Sequence, residues 1–380
     1  MLPLPVTGGS ILQYKDISME AFIELSKTHR IVIFGTGKLF RRAMPRFVEC
    51  GMNLGSIRLL MDNGQAGKDV AACGRTWRVR SVEEGVREIA PDDVILFTPY
   101  DAFAVMSEQL EAYGLSNIAC LYSLFDVWAM REQGNRVRYP TRRSDHPMIP
   151  KVIHYFWFGT KEIPDWQKKC IESWHRYCPD YEFRLWNEEN YDIHKCKYME
   201  DAYASGRMGF VPDYARLDVL YEQGGIYLDT DVELVRPLDE LLYQPAFCGA
   251  QVGGTVNLGS GFGCVPGLEV IRAMRDEYFT AEFRRADGTY DLMSSPGYQT
   301  RTLERYGFQR NNRYQVIEDM AVYPADVLCG SVDMTGWREK TQNTYALHLP
   351  SLSWAGQRRI TQAQKTRQMV QRMCMERQSK

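Results

Sequence analysis

Gly224-Gly225-Ile226-Tyr227-Leu228-Asp229-Thr230-Asp231-Val232-Glu233-Leu234 decides how the rest of the chain is read. Ile226 to Leu228 are branched or aromatic and predict a short strand, with Gly224-Gly225 as the turn that feeds it. Asp229 and Asp231 follow where that strand ends. Residues i and i+2 of a strand point to one side, so the two carboxylates can face one small volume. Oxygen donors of this kind suit a hard divalent cation such as Mn²⁺ or Mg²⁺, which in turn neutralises a diphosphate. Taken alone, Asp-x-Asp at a strand end is also a pair of solvated carboxylates. The neighbouring residues weigh between the two readings.

Upstream lies Val211-Pro212-Asp213-Tyr214-Ala215-Arg216-Leu217-Asp218-Val219-Leu220-Tyr221. Tyr214, Leu217, Leu220 and Tyr221 recur at helical spacing and predict one buried face. Asp213 and Arg216 sit three apart at the start of this helix, side by side. They read as a cap and an ion pair, or as part of a site. The assembled pattern is Asp-x-x-Arg, helix, Gly-Gly, strand, Asp-x-Asp. It resembles the sugar-binding region of glycosyltransferase family 32, whose fold is the nucleotide-sugar-binding GT-A type, and the resemblance covers the second half of the chain.

That resemblance implies a metal-dependent, retaining glycosyltransferase. It places Asp231 and His348 on a divalent cation (Mn²⁺ or Mg²⁺), with Asp229 touching the ribose or reaching the metal through water. Asp213 and Arg216 then hold hydroxyls of the donor sugar. The implied donor is a UDP-sugar, and the implied acceptor is a glycan or lipid-linked glycan, in capsular or other surface polysaccharide synthesis. No carboxylate stands out as a glycosyl nucleophile, so front-face attack by the acceptor hydroxyl is the expected route.

The same domain is expected to run over residues 150–355. Ile149 to Phe158, ended by Gly159, reads as its first strand and is similar to the first strand of that family, where the tryptophan of Trp-x-Gly lies against the nucleobase. Here that residue is Trp157, which on pattern alone is also a core aromatic. A helix over Trp166–Tyr177, a Cys178-Pro179-Asp180 turn and a strand over Tyr181–Trp186 follow as scaffold. Asn257-Leu258-Gly259-Ser260-Gly261-Phe262-Gly263 predicts a glycine-rich strand and turn, where the backbone at Gly259 and Ser260 can approach a substrate closely. Ser295-Pro296-Gly297-Tyr298-Gln299-Thr300 resembles the family's Gly-Pro…Thr turn with the order reversed. Near the end, His348 precedes Ser351 and Trp354. The resemblance makes His348 a metal ligand and assigns Ser351 and Trp354 to the leaving diphosphate, whereas an isolated histidine beside a strand is otherwise a structural residue.

Residues 1–128 read as a separate Rossmann-like module of parallel βαβ units. Arg30–Phe34 predicts a strand, followed by Gly35-Thr36-Gly37 and a helix through Phe40, Met44 and Phe47. Ile57–Met61 is a second strand ending at Asp62, and Val94–Phe97 and Ile118–Leu121 are later ones. Gly35 and Gly37 can cradle a phosphate at the helix start and Asp62 can meet a ribose, which makes these three the candidate cofactor-binding residues. The third fingerprint glycine is replaced by Phe40, so the turn is also explained by geometry alone. The segment looks like the small Rossmann-type modules found ahead of sugar-modifying domains in surface-polysaccharide enzymes.

Residues 129–149 carry Arg131, Arg136, Arg138, Arg142 and Arg143 between prolines and predict a solvated basic linker. Residues 356–380 hold seven bases against Glu376. With Ile360, Ala363, Val370 and Met373 on one side, they predict a basic helix, either solvated or in peripheral contact with an anionic membrane. The formal charge of −2 gives no argument for a nucleic-acid partner. Ten cysteines show no Cys-x-x-Cys pair, which disfavours zinc. With no export signal or membrane span visible, the expected location is cytoplasmic. Two further readings belong to other classes. One is a nucleotide-sugar or dinucleotide-binding regulator with an inactive transferase domain; the other is an NAD-dependent oxidoreductase resting on Gly35 and Gly37.

Overall fold

The structure, a computed structural model, describes residues 12–378 apart from 16, 100–101, 116–117, 123–129, 132–133, 333–336 and 351–356. The chain divides into two compact units. One comprises residues 1–128, 334–337 and 356–380, and the other 129–333 and 338–355.

In the first unit β1 (Gln13–Lys15), β2 (Ile31–Phe34), β3 (Ile57–Met61), β4 (Asp69–Ala72), β5 (Arg75–Arg80), β6 (Val94–Phe97) and β7 (Ala119–Tyr122) form one sheet in the order β1-β7-β6-β2-β3-β5-β4. Every neighbouring pair is parallel except β4 and β5. β2 and β6 are buried at all four positions, as strands covered on both faces must be. Helices α1 (Met19–Thr28), α2 (Lys38–Glu49), α3 (Val82–Gly85) and α4 (Phe103–Ala112) intervene. The antiparallel β4–β5 hairpin escaped the sequence reading. Its turn is Cys73-Gly74, both at positive φ, and a cysteine does not advertise a left-handed position as asparagine does.

The basic tail is part of this unit. Its helix, Gln357–Gln378, packs on α4, with Ala363, Thr366 and Val370 buried and Lys365 paired with Glu108 at 2.8 Å. The apolar stripe expected to face lipid therefore faces protein along these positions.

The second unit holds a mixed sheet of β8 (Val152–Phe156), β9 (Glu182–Trp186), β10 (Gly225–Tyr227), β12 (Ala246–Gly249), β13 (Phe262–Cys264), β14 (Gln315–Ile317) and β15 (Met320–Tyr323). Their order is β14-β15-β12-β13-β10-β8-β9. A separate antiparallel ladder joins β11 (Val232–Leu234) to the strand Ala346–His348, with Val232 opposite His348. Alternation along β10 sends Tyr227 to one core with Phe156 and sends Ile226 and Leu228 to the other with Ile153. The helices are α5 (Asp165–Tyr177), α6 (Lys197–Ala204), α7 (Pro212–Gln223), α8 (Glu269–Thr280) and α9 (Ser295–Arg305). The expected Ser295–Thr300 turn is thus the first turn of α9, with proline where the missing N–H costs nothing.

The arginine-rich segment expected as a solvated linker is folded onto the second unit. Tyr323 Oη donates to Pro140 O (2.7 Å) and Asn343 Nδ2 donates to Gly134 O (3.1 Å) and Val137 O (2.8 Å). Arg131 pairs with Glu339 through two bonds and Arg143 donates to Asp319 O. Arg131, Arg142 and Arg143 are spent on a carboxylate, a ring and a carbonyl of that unit, and the segment behaves as a strap.

Candidate active site

α7 explains how a site is built at the end of β10. Pro212 stands at the first helical position, and Gly224 closes the helix at φ +67. A side chain at Gly224 would press on Cys264 O and Pro266, and one at Gly225 on Val152 O and the His154 ring, so both glycines are demanded by close backbone approach. The sequence suggested one buried face on α7, but residues 213 to 220 are all buried. Asp213 and Arg216 therefore lie inside the protein.

Their geometry is a chain of charge. Arg216 Nη2 donates to Asp213 Oδ1 (2.5 Å) and Nη1 to Asp229 Oδ1 (3.4 Å), while Nε donates to Pro212 O (3.0 Å). The guanidinium lies 4.9 Å from the centre of the Tyr227 ring, whose hydroxyl donates to Asp229 Oδ1. Side chains of Asp213 and Arg216 are each 4% exposed, against 30% for Asp229. Arg216, itself anchored by Asp213, holds Asp229 from behind, and Asp229 is the member that meets the outside. Burial pushes the Asp213 carboxyl up to about 7, against the pull of Arg216. Burial also raises Asp229, again opposed by Arg216.

Asp229 and Asp231 do face one volume, but not by strand alternation. β10 ends at Tyr227, and Asp229 to Asp231 form a turn closed by Val232 N donating to Asp229 O (3.0 Å). The β11 ladder then lays His348 beside Asp231, with Nε2 3.2 Å from Asp231 Oδ1. One donor atom from each of Asp229, Asp231 and His348 lies within 4.8 Å of the others. Burial opposes a charge on His348, but the Asp231 carboxylate outweighs it and raises the imidazole well above the ordinary histidine range. Two carboxylates and one imidazole in that span fit a divalent cation such as Mn²⁺.

The loop after β12 supplies the third wall. Gly259 O accepts from Asp229 N (3.1 Å), and a Cβ on Gly259 would collide with the Asp229 carboxylate. Gly259 therefore serves close packing of Asp229. Ser260, expected to meet substrate, is fully buried with its hydroxyl donated to Asn257 O (2.8 Å). Asn257 went unremarked in the sequence. Its Oδ1 accepts from Gly259 N (3.0 Å) and its Nδ2 lies 3.4 Å from His348 Nδ1, so one amide touches both walls of the site. Gln299 and Thr300 of α9 accept from Leu258 N (3.4 Å) and Val256 N (3.0 Å), fixing the loop. Tyr227 was read only as strand, and nothing in its spacing announced its bond to Asp229.

Trp157 follows β8, the parallel neighbour of β10, so it lies at the same end of the sheet as Asp229, where ligands of such sheets bind. It is half-buried, and its Nε1 donates to Lys161 O. His154 beneath it is structural. It accepts from Trp186 Nε1–H (3.1 Å) and contacts Gly224 O, and burial lowers it to about 4. Ser351 and Trp354 lie outside the described residues.

In the first unit Gly35 sits at φ +102, where a side chain would strike Pro99 and Thr98, whereas Gly37 has open space around its Cα. Asp62 Oδ2 accepts from Thr36 N (2.8 Å) and Thr36 Oγ1 (3.0 Å), and its Oδ1 accepts from Gly64 N (2.9 Å). The acid expected to meet a ribose is thus already engaged in tying the glycine turn to the next strand.

The segment that carries Asp229 and Asp231 is similar in sequence to known proteins. Residues 164–248, which contain Asp213, Arg216, Asp229 and Asp231, match the family described as glycosyltransferase sugar-binding region containing DXD motif. Inositol phosphoceramide mannosyltransferase 3 of Schizosaccharomyces pombe is 40% identical over 111 residues, 26% of this chain and 29% of that protein. Mannosyl phosphorylinositol ceramide synthase CSH1 of Saccharomyces cerevisiae is 36% identical over 112 residues, 27% of this chain and 28% of that protein. The chain thus matches under a third of the length of these curated relatives. A solved structure, PaToxG Glycosyltransferase, aligns with 48% of this chain and 76% of its own at 19% identity and a TM-score of 0.34.

Proposed function

We propose that the second unit is a divalent-cation-dependent glycosyltransferase that moves a sugar from a nucleoside diphosphate to a glycan or lipid-linked acceptor. The observation that carries the reading is the convergence of Asp229, Asp231 and His348, two of them inside the DXD-matching segment. A cation held there supplies positive charge against the departing diphosphate. The chain's own residues do the rest. Arg216, anchored by Asp213, holds Asp229 in place from inside the protein, Asp229 faces the donor, and Trp157 offers a ring to the base. The named relatives favour mannose as the sugar to test first and a phosphoinositol lipid as the first acceptor. UDP as the nucleotide and a capsular glycan as the acceptor rest on family resemblance, as does retention of configuration. A regulator with an inactive transferase domain is disfavoured, because all three donor atoms of the cation set converge.

The test is release of nucleotide from a panel of UDP- and GDP-linked sugars with Mn²⁺, Mg²⁺ or EDTA, for the wild type and Asp231→Ala. Metal-dependent release from one donor, abolished by the substitution, is expected. Turnover that ignores both EDTA and Asp231→Ala would remove the catalytic role assigned to the cluster.

A further inference from the structure

A second polar cavity lies in the catalytic unit beneath the strap, with a volume of about 190 Å³, and its lining includes Arg138, Tyr139, Arg236, Glu240, Asn343 and Tyr345. It is separate from the cation cluster. Asp231 and His348 stand at one end of the β11 ladder, while Arg236 and Tyr345 stand at the other, where Val235 N donates to Tyr345 O (2.9 Å). Five residues of extended chain place the two sites roughly 15 Å apart.

The arginines set the ligand chemistry. Arg131 pairs with Glu339, Arg143 with Asp319, Arg142 lies 4.3 Å from the centre of the Tyr243 ring, and Arg136 also has a partner. Arg138 alone among these five strap arginines makes no hydrogen bond, ion pair or ring contact with the described residues, and it lines the cavity. Arg236 is pre-set. Its guanidinium lies 4.7 Å from the centre of the Tyr345 ring and Nη2 donates to Gln342 O (2.6 Å), which fixes the plane of the fork. Glu240, an acid in the lining, accepts the Tyr345 hydroxyl. One uncommitted and one oriented guanidinium, with buried Tyr345 and Asn343 beside them, outweigh that single carboxylate. Planar forks of this kind recognise phosphoryl oxygens.

We propose that this cavity binds a phosphoryl group, outside the donor site, through Arg138 and Arg236. The group belongs either to a lipid headgroup or to a free phosphate or phosphate ester. The inference does not depend on the transferase reading.

The test uses the full chain with inorganic phosphate in calorimetry at fixed ionic strength, and sedimentation with phosphatidylcholine vesicles with or without phosphatidylinositol. Saturable phosphate binding is expected, at least tenfold weaker in Arg138→Glu and in Arg236→Lys, and unchanged by EDTA or Asp231→Ala. Arg138 is exposed, so Arg138→Glu should melt as the wild type does. Arg138-dependent sedimentation confined to phosphatidylinositol vesicles identifies a lipid headgroup. Phosphate binding without sedimentation identifies the free ligand. Binding of neither probe, or binding by Arg138→Glu equal to wild type, overturns the proposal.

Discussion

Gly259→Ala tests how tightly the site is built. Gly259 is outside the left-handed region, so alanine meets no backbone strain there and the effect comes from contact alone. The new Cβ would lie 3.1 Å from both Asn257 Oδ1 and Asp229 Cγ, and nearer still to Asp229 Oδ2. Ordinary carbon contacts sit at about 3.5–4.0 Å, so the carboxylate must retreat by about an ångström. It cannot do so freely, because Arg216 and Tyr227 hold Oδ1 from the other side. Overpacking of this size costs about 1–3 kcal/mol, partly offset by about 0.4–1 kcal/mol from a stiffer unfolded chain. Displacing a positioned group by about 1 Å costs roughly 100-fold in rate. The expected variant is folded, slightly less stable in urea, and about two orders of magnitude slower in metal-dependent sugar-nucleotide hydrolysis. Its Mn²⁺ affinity, read by electron paramagnetic resonance, should fall as well. Wild-type affinity and turnover in Gly259→Ala would refute the claim that this glycine exists to admit Asp229.

Three further outcomes follow from burial and charge. Asp213 titrates near 7 in the folded chain against about 3.9 when unfolded, so the folded state binds the extra proton between those values. The contribution of Asp213 to stability should therefore fall as pH rises from 4 to 7, so the difference between thermal melts of wild type and Asp213→Asn should change in that direction over that window. His348 is raised by Asp231, so in cation-free protein their pairing should add stability below about pH 6.5 and lose it as pH climbs through the higher folded value. Melts of Asp231→Asn beside wild type should show a gap that narrows at alkaline pH. Val370→Asp places a carboxylate at a position 3% exposed and should unfold the first unit at lower denaturant by several kcal/mol, whereas a solvated tail would tolerate it.

Much of this architecture was legible. The apolar runs Ile31–Phe34 and Val94–Phe97 announce strands covered on both faces, and Gly224-Gly225 marks the break between α7 and β10 correctly because both residues take positive φ. The strap was misread because a run of arginines looks solvated until its partners are known. Glu339 and Asp319 lie more than 170 residues away, and local pattern carries no trace of them. The tail was misread for a related reason. A weak stripe of Ala363 and Val370 fits a membrane surface and a protein surface alike, and only the presence of α4 decides. In the site, ionisable residues were visible by type, but Asn257 and Tyr227 act through neutral groups whose value lies wholly in where the fold puts them.

The cluster also shows why so many acids can be buried together. Removing one partner of a buried ion pair leaves an uncompensated charge, so buried carboxylates need counter-charge within reach in the folded state. Arg216 serves Asp213 and Asp229 at once, and His348 serves Asp231. With all three carboxylates ionised, one guanidinium leaves two negative charges, and a protonated His348 reduces that to one. A divalent cation held by Asp229, Asp231 and His348 would cancel both, and would take a lone pair of the imidazole that a proton otherwise occupies. Proton and cation are therefore alternatives at the same nitrogen. The raised imidazole balances Asp231 in cation-free protein, and the charge left when that proton departs is one that a divalent ion would match.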